Sequence, residues 1–294
     1  MDHRAALLGL LKQRLTTLID AMPAAQAGDM RSVHQARVAT RRLREALPVL
    51  RTSVNTQTLR RVKRQVRRMT RALGPVRELD VALLQLDEQS AHSVVSTRAL
   101  ARVRQSMARE RLKRRRDMLA AITPGKVEKL RHRLGQVSSG SEAAKPAAAL
   151  HEVQLLVDRR ARRLTASIER AGGLYLPDRL HAVRIAAKKL RYALEIDREL
   201  KRSRATARIA QLKRLQDLLG RMHDFEILID RTRQVQADVA RTDRRLTTEL
   251  DVLILNLEEA CRREHATYMR RRPSIVKLCE TLKPSESLTS SAVA

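Results

Sequence analysis

Two stretches of the chain read almost alike: VHQARVATRRLREALP at Val33–Pro48 and LHAVRIAAKKLRYALE at Leu180–Glu195. Seven of the sixteen aligned positions are identical, and the offset of 147 residues is half of the 294-residue chain. A second pair follows in the same order, VRRMTRALG at Val66–Gly74 and LKRLQDLLG at Leu212–Gly220, at an offset of 146. Two pairs of similar segments that occur in the same order and at nearly the same offset indicate an internal duplication.

The residue pattern predicts an all-α fold. Glycine is scarce, proline falls between apolar-periodic segments, and no segment alternates as a strand would. The stretch Val137–Pro146, VSSGSEAAKP, is the best linker candidate, and the pattern restarts after it. We therefore expect two tandem four-helix-type bundles related by pseudo-twofold symmetry, over residues 1–140 and 141–282, followed by a disordered tail at 283–294.

Proline, glycine and capping residues predict where helices begin and end. Gly28–Asp29 or Ser32 offers a break and cap before Val33. Gly74 is expected to end one helix, with Pro75 in the first turn of the next, and Gly220 is expected to act as Gly74 does. The expected helices are Arg4–Ala21, one beginning at Val33, Leu59–Leu73, Pro75 to about Glu88, Thr97–Ile122, Leu150–Arg170, one beginning at Pro177, and Thr242–Met269.

The charge balance indicates a polyanionic partner. The chain has 61 Lys and Arg against 32 Asp and Glu, a formal net charge of +29. Such a charge opposes compaction unless an anion neutralises it, so nucleic acid, an anionic membrane or a phosphate polymer are the candidate partners. The simpler alternative is a helical protein with solvated arginine faces. Aromatic residues make up 1% of the chain, which argues against stacking on single-stranded bases but leaves non-specific binding to duplex phosphates open.

Cysteine use and hydropathy favour a cytoplasmic protein. Cys261 and Cys279 are the only cysteines and form no CxxC pair, so we read them as reduced thiols. The N-terminus lacks the apolar core of a signal peptide. No apolar run approaches the roughly 18 residues that span a bilayer.

Each repeated segment, placed on a helix, carries cations beside its apolar face. With His34 at zero and about 100° per residue, Val33, Ala36, Thr40, Leu43 and Leu47 form the core face. Arg42 and Lys189 lie off the row of cations. We call His34, Arg37, Arg41 and Arg44 the first histidine ridge, and His181, Arg184, Lys188 and Arg191 the second histidine ridge.

The next helix adds four arginines on one face, Arg60, Arg64, Arg67 and Arg71, which we call the arginine stripe. Like charges three and four residues apart destabilise a helix, so the stripe suggests an anion-binding surface, although a solvated charged face would look similar. In the second half only Lys213 keeps a matching position. Arg208 and Arg214 point elsewhere, and Asp217 replaces Arg71.

The histidines and the acidic residues near them do not suggest catalysis. A metal site needs three or four ligands, and no carboxylate follows His34 or His181 at i+3 or i+4. Each histidine donates a hydrogen bond within its bundle, contacts phosphate oxygens, or does both. For the acidic residues after Gly74 and Gly220 we favour a structural role, as helix caps or as partners of nearby cations. We expect no catalytic residue, no metal and no cofactor.

These motifs resemble the conserved-histidine α-helical domain, CHAD. Its hallmark is a His-x-x-Arg-x-x-x-(Arg/Lys)-(Arg/Lys)-Leu-Arg helix in each of two four-helix bundles, and here it is His34–Arg44 and His181–Arg191. Its Leu-Gly followed by a charged-acidic pair resembles Leu73-Gly74 with Arg77-Glu78, and Leu219-Gly220 with His223-Asp224. The resemblance covers nearly the whole chain apart from the tail.

The resemblance implies binding of inorganic polyphosphate in a basic groove or pore between two bundles, with association with polyphosphate granules. The Glu-x-Glu-x-Lys motif of the hydrolase domain to which some members are fused is missing, so no hydrolase activity is implied. The expected polyphosphate-binding residues are His34, Arg37, Arg41, Arg42, Arg44, Arg60, Arg64, Arg67, Arg71, His181, Arg184, Lys188, Lys189, Arg191, Arg208, Lys213 and Arg214.

Three alternatives remain open from the sequence. Charge alone would permit a non-specific nucleic-acid-binding architectural protein, although no helix-turn-helix, zinc-finger or RNA-recognition motif supports it. A phosphotransferase or phosphatase would need a carboxylate set for a metal or a phosphate-cradling glycine loop, and neither is visible. An adaptor whose basic face docks an acidic protein is the third.

Overall fold

The computed structural model describes residues 3–50, 56–90, 95–139, 146–201 and 205–282, and within these ranges the chain is helical with no strand. The all-α prediction is therefore confirmed. A short 3-10 helix, Leu47–Leu50, follows the second α-helix. The α-helices are α1 His3–Ala27, α2 Met30–Ala46, α3 Thr56–Ser90, α4 Thr97–Ala121, α5 Pro124–Ser139, α6 Pro146–Ala171, α7 Pro177–Lys201, α8 Thr206–Val239 and α9 Arg244–Glu280.

The predicted helix break at Gly74–Pro75 is wrong, because α3 continues through both residues. Proline in a helix interior costs about 3 kcal/mol, since it removes one i→i−4 hydrogen bond. The apolar side chains on either side keep one register, however, and bury in a single line: Val62, Val66, Met69, Leu73, Val76, Leu79, Ala82 and Leu86. Burying each larger side chain contributes about 1.5–3 kcal/mol, which outweighs the proline.

Other boundaries also differ from the sequence-based expectation. Gly220 does not interrupt α8, whose buried line continues from Leu219 to Met222. The Thr123–Gly125 stretch ends α4, as expected, but also begins α5, which the sequence reading had not assigned. Most of the expected linker, at residues 140–145, and the expected tail at 283–294 lie outside the described residues.

The chain groups into two compact units. The first unit comprises Leu8–Ala144 and Arg221–Arg263, and the second comprises Met1–Leu7, Lys145–Gly220 and Glu264–Ala294. This grouping differs from the expected division into 1–140 and 141–282, because α8 and α9 each contribute residues to both units. The pseudo-twofold relation of two tandem bundles stays a prediction.

In the first unit, α3 and α4 form the centre, and polar contacts attach other helices to them. Ser96 caps α4, where its Oγ accepts a hydrogen bond from the Ala99 amide at 3.4 Å and donates to Glu249 of α9 at 2.6 Å. Arg231 of α8 forms an ion pair with Glu110 of α4. These contacts hold the first part of α9 and the second part of α8 against α4.

Apart from the first residues of α1, the second unit contains four helical segments: α6, α7, the first part of α8 and the last part of α9. Arg191 of α7 donates to Gln216 of α8 at 3.0 Å. Gln211 of α8 donates to the Ser274 carbonyl of α9 at 3.2 Å, and Arg272 of α9 donates to the carbonyl of Gly172, just after α6, at 3.1 Å. Each segment is thus tied to another by a defined hydrogen bond.

None of the described helices combines the length and the apolar character that a membrane span requires.

Candidate functional site

Helix α2 presents the first histidine ridge at the edge of its buried face. Asp29 fixes the start of the helix, since its carboxylate accepts a hydrogen bond from the Ser32 amide at 2.7 Å. Hydrogen bonds from Ser32 lower the pKa of Asp29, so the cap persists into mildly acidic solution. The predicted core face is buried, at Val33, Ala36, Thr40, Leu43 and Leu47. His34 is exposed, and the ridge arginines, like Arg42, are partly exposed.

The ridge meets helix α3 at Arg37. Nη1 of Arg37 donates to the backbone carbonyl of Thr70 at 3.4 Å. The same guanidinium lies over Gly74, where a Cβ atom would come within 2.7 Å of Nη1. Residues three and four apart are neighbours on a helix surface, so Thr70 and Gly74 are flanked by Arg67 and Arg71. Arg37 therefore joins the first ridge to the arginine stripe.

All four arginines of the stripe are exposed on α3, on the side opposite its buried line. Within the described ranges, none of the four has an ion pair or a side-chain hydrogen bond. The surrounding sequence explains this, because the segment from Thr56 to Arg77 contains eight Lys and Arg and no Asp or Glu. The stripe is thus a row of cations whose charge the helix itself does not neutralise.

Both ridges end in an arginine that has an acidic partner in the protein. Arg44 lies 3.4 Å from the buried Glu45. Arg191 pairs with the buried Glu195 at 2.6 Å, donates to Gln216 and covers the ring of Tyr192 at 4.8 Å. Its side chain is 17% exposed, so Arg191 fixes α7 against α8 and leaves only a small part of its side chain open to a ligand.

The second unit repeats the arrangement with fewer exposed cations. A Cβ atom on Gly220 would lie 3.9 Å from Nε of Arg184, so Arg184 lies over Gly220 as Arg37 lies over Gly74, but at a longer distance. His181, Arg184, Lys188 and Lys189 are partly exposed along α7. In the part of α8 that belongs to this unit, the exposed cations are Arg208, Lys213 and Arg214, followed by the exposed Asp217.

The imidazole of His34 is close to three guanidinium groups. Partial desolvation, together with Arg77, Arg37 and Arg41, lowers the pKa of His34 below its ordinary value of 6.5. The free protein therefore carries a neutral His34 at neutral pH. An anion bound on this surface would cancel the repulsion and favour the protonated ring.

Buried Asp80 holds the cations next to the site in place. Its Oδ1 accepts from Nε of Arg111 on α4 at 2.6 Å, and Arg111 also donates to the Gly28 carbonyl at 2.9 Å. Burial raises the pKa of Asp80 against the opposing influence of Arg111 and Arg77. Asp80 lies within α3, so it caps no helix and serves as a partner of neighbouring cations.

The basic cluster of α4 divides into arginines that bind other parts of the protein and cations that face solvent. Its members are Arg111, Lys113, Arg114, Arg115 and Arg116. Arg111 and Arg115 both bind carbonyls at the end of α1, Arg115 through the Gln26 carbonyl at 2.8 Å and 3.2 Å. Gly28 makes the approach possible, because it has a φ of 102° and its missing Cβ would lie 3.0 Å from Nε of Arg115. Lys113 and Arg116 remain exposed.

Sequence reasoning missed part of the cationic surface. Arg61, Lys63 and Arg68 are also exposed on α3. They could have been predicted from their position in the segment from Thr56 to Arg77, which contains no Asp or Glu. Arg133 of α5 donates to Gln65 of α3 at 2.8 Å and so brings a further cation to that helix. Recognising α5 from Thr123–Pro124 as a helix start would have revealed it.

No group of three or more His, Cys, Asp or Glu side chains that could hold a metal ion occurs among the residues that the structure describes.

Comparison with known proteins agrees with this fold. The chain resembles the crystal structure of the CHAD domain from the plant Ricinus communis with a TM-score of 0.66 and 20% identity, over 95% of this chain and 91% of that one. It resembles PptA from Streptomyces chartreusis with a TM-score of 0.67 and 17% identity, over 94% and 98% of the two chains. No curated protein matches the sequence significantly. The family model of the CHAD domain matches residues 9–233, and the chain therefore belongs to the CHAD domain family.

Proposed function

We propose that the protein binds inorganic polyphosphate without chemically changing it. The cations that contact the polymer are His34, Arg37, Arg41, Arg42, Arg44, Arg60, Arg64, Arg67 and Arg71 in the first unit, and His181, Arg184, Lys188, Lys189, Arg191, Arg208, Lys213 and Arg214 in the second. Membership of the CHAD domain family implies an association with polyphosphate, and the residues of this chain supply the specific argument.

The observation that carries the proposal is the exposed arginine stripe beside the first histidine ridge. Four turns of α3 present guanidinium groups with no acidic partner among the described residues, and Arg37 bridges from α2 to the same helix. Like-charge repulsion along such a row costs stability. A bound polyanion would remove that cost and would itself be neutralised.

An unbranched phosphate polymer fits the chemistry of this surface better than a nucleic acid does. Guanidinium groups can bind phosphate oxygens in pairs, whereas Lys188 and Lys189 act as point charges. Single-stranded nucleic acids usually require exposed rings for base stacking. Tyr192, Phe225 and Tyr268 are buried, which leaves Tyr175 as the only partly exposed aromatic side chain among Phe, Tyr and Trp.

The proposal is tested by calorimetry at physiological salt. Long-chain polyphosphate is titrated in one experiment, and duplex DNA of equal total charge in a parallel one. We expect polyphosphate to bind at least about tenfold more tightly, a difference of about 1.4 kcal/mol. Affinity should fall steeply with salt because binding releases counterions. Equal affinities would instead indicate a general polyanion binder, the nucleic-acid alternative.

A charge-reversal variant links the binding to the ridges. The quadruple variant R37E/R41E/R184E/K188E should lose polyphosphate binding while keeping its helical circular dichroism. Wild-type affinity in a folded quadruple variant would contradict the assignment of these ridges. R241E/R244E, at exposed positions near the start of α9, is the control and should bind almost as the wild type does.

Non-catalytic binding and a cellular location complete the proposal. Polyphosphate incubated with the protein, with and without divalent cations, should keep its chain length on a gel, and shortening would refute a purely binding role.

In cells we place the protein at polyphosphate granules. A fluorescent fusion should follow the granules and should disperse when cellular polyphosphate is removed.

A further inference from the structure

Helix α4 carries a second row of exposed cations, outside the site described above. Arg109, Lys113 and Arg116 follow one another at spacings of four and three residues, so they share one face of the helix. All three side chains are exposed, and within the described residues none makes an ion pair or a side-chain hydrogen bond. We call this row the α4 stripe.

Neighbouring arginines of α4 show that this lack of partners is particular to the row. Arg104 pairs with Asp87, Arg111 with Asp80, and Arg114 with Glu110. Each of these arginines lies on another face of the helix. Glu110 and Asp117, which lie three and four residues from Lys113, pair with Arg114 instead, so no member of the α4 stripe has an ion-pair partner among the described residues.

The α4 stripe and the arginine stripe face away from each other. Helix α4 contacts α3 through Arg111 and Arg104, which lie about 200° around the helix from Arg109. On α3 the corresponding contacts, the buried Asp80 and the exposed Asp87, lie about 180° around the helix from the arginine stripe. The two helices pack between the two rows of cations.

The two rows are also displaced along the helices. The pairs Asp80–Arg111 and Asp87–Arg104 define an antiparallel register, in which Lys113 is level with Glu78 of α3. The middle of the arginine stripe lies about 12 residues earlier, which is roughly 18 Å at 1.5 Å per residue. The two rows present separate binding surfaces, because they lie on opposite faces of the helix pair and their middles are more than two Debye lengths of about 8 Å apart.

We propose that the α4 stripe binds a second polyphosphate chain, so that one protein molecule bridges two polymers. This inference rests on the proposed polyphosphate-binding function. Three unneutralised cations on consecutive turns suit a phosphate polymer for the same reason as the arginine stripe does. Their location on the opposite face lets a second chain bind without displacing the first, which would crosslink polymers and help to condense them.

A two-chain capture experiment tests the bridge. End-biotinylated polyphosphate is fixed on beads, the full-length protein is bound and washed, and fluorescently end-labelled polyphosphate is then added. Wild-type protein should be retained and should capture the labelled chain. The variant R109Q/K113Q/R116Q should be retained on the beads, but its capture of the second chain should fall by about tenfold or more, since fewer phosphates are neutralised.

The control R241Q/R244Q/R245Q removes the same charge from exposed positions near the start of α9 and should capture the second chain almost as the wild type does. Unchanged capture by R109Q/K113Q/R116Q, or an equal loss in the control, would overturn the inference and leave the proposed function intact. Equal capture of labelled duplex DNA would overturn the assignment of the stripe to polyphosphate. Wild-type protein that does not bind the beads would refute the proposed function itself, and the bridge with it.

Discussion

Gly74 and Arg37 occupy the same small space between α3 and α2: a Cβ atom on Gly74 would lie 2.7 Å from Nη1 of Arg37. Glycine in a helix interior costs about 0.5–1 kcal/mol relative to alanine. Its presence in α3 is explained by the room it leaves for a guanidinium group that also reaches the Thr70 carbonyl. The equivalent pair in the second unit, Gly220 and Arg184, is looser, since a Cβ atom on Gly220 would lie 3.9 Å from Nε of Arg184.

The variant G74A should separate binding from stability. The new methyl group displaces the end of the Arg37 side chain, which is flexible, while the helix gains about 0.5–1 kcal/mol from alanine. We expect unchanged or slightly raised stability in urea unfolding and polyphosphate binding weakened several-fold. G220A is the matched control, because its methyl group would make an ordinary contact with Arg184. Equal affinities of G74A and the wild type would show that the position of Arg37 does not matter for binding.

Neutralising the arginine stripe should stabilise the free protein while weakening ligand binding. In R60Q/R64Q/R67Q/R71Q, the three like-charge neighbour pairs within the stripe disappear, together with the pairs to Arg61, Lys63 and Arg68, each worth about 0.2–0.5 kcal/mol. We expect a rise of at least about 1 kcal/mol in the free energy of unfolding and a polyphosphate affinity that depends less steeply on salt. A variant with four exposed cations removed elsewhere, R241Q/R244Q/R245Q/R262Q, should keep the wild-type salt dependence. An unaltered salt dependence in the stripe variant would mark the stripe as an ordinary solvated face.

Breaking the ion pair between Arg111 and Asp80 should lower the free energy of unfolding by more than the loss of one exposed ion pair would. The Asp80 side chain is fully buried and that of Arg111 is 17% exposed, so R111M leaves a buried carboxylate without its main partner. Removing one partner of a buried pair costs about 3–5 kcal/mol. The double variant D80N/R111M should recover much of that loss, because no charge stays buried. Urea unfolding of both variants checks this, and a loss below about 0.5 kcal/mol in R111M would contradict it.

The helix class and the exposed cations of this chain could be predicted from sequence because both depend on local spacing. The core face of α2 and the exposure of the arginine stripe follow from a period of 3.6 residues, and the structure places both as expected. The break at Gly74–Pro75 was predicted wrongly because a local signal was weighed alone. The line from Leu73 to Val76 continues the apolar register through it, and that continuity was the stronger evidence.

Long-range contacts could not be predicted from these patterns. Nothing in the spacing of Arg111 or Arg115 shows that they bind carbonyls of Gly28 and Gln26, more than 80 residues away. Likewise, the repeat suggested two halves, but the grouping of Arg221–Arg263 with the first unit depends on how α8 and α9 pack. A repeated sequence predicts repeated local structure, whereas the units depend on tertiary contacts.

Because the pKa of His34 is lowered, stability and affinity depend on pH in opposite directions. The stability of the free protein falls as the pH falls, whereas its affinity for polyphosphate rises. Because the folded chain binds a proton at His34 less readily than the unfolded chain does, this group's contribution to stability is lost as pH falls below 6.5. A phosphate polymer on the ridge offsets the charges of Arg77, Arg37 and Arg41 and raises the pKa again. Binding must then take up protons.

We therefore expect polyphosphate affinity to increase as the pH is lowered through 6.5, beyond any change seen in the variant H34Q. The direct measurement is an NMR titration of the His34 ring with and without polyphosphate, and its pKa should rise in the complex. Calorimetry in two buffers of different ionisation enthalpy should show proton uptake that H34Q lacks. H132Q, which removes an exposed histidine of α5, should behave as the wild type does. A ring pKa of His34 that does not move on binding would place the polymer away from the histidine ridge.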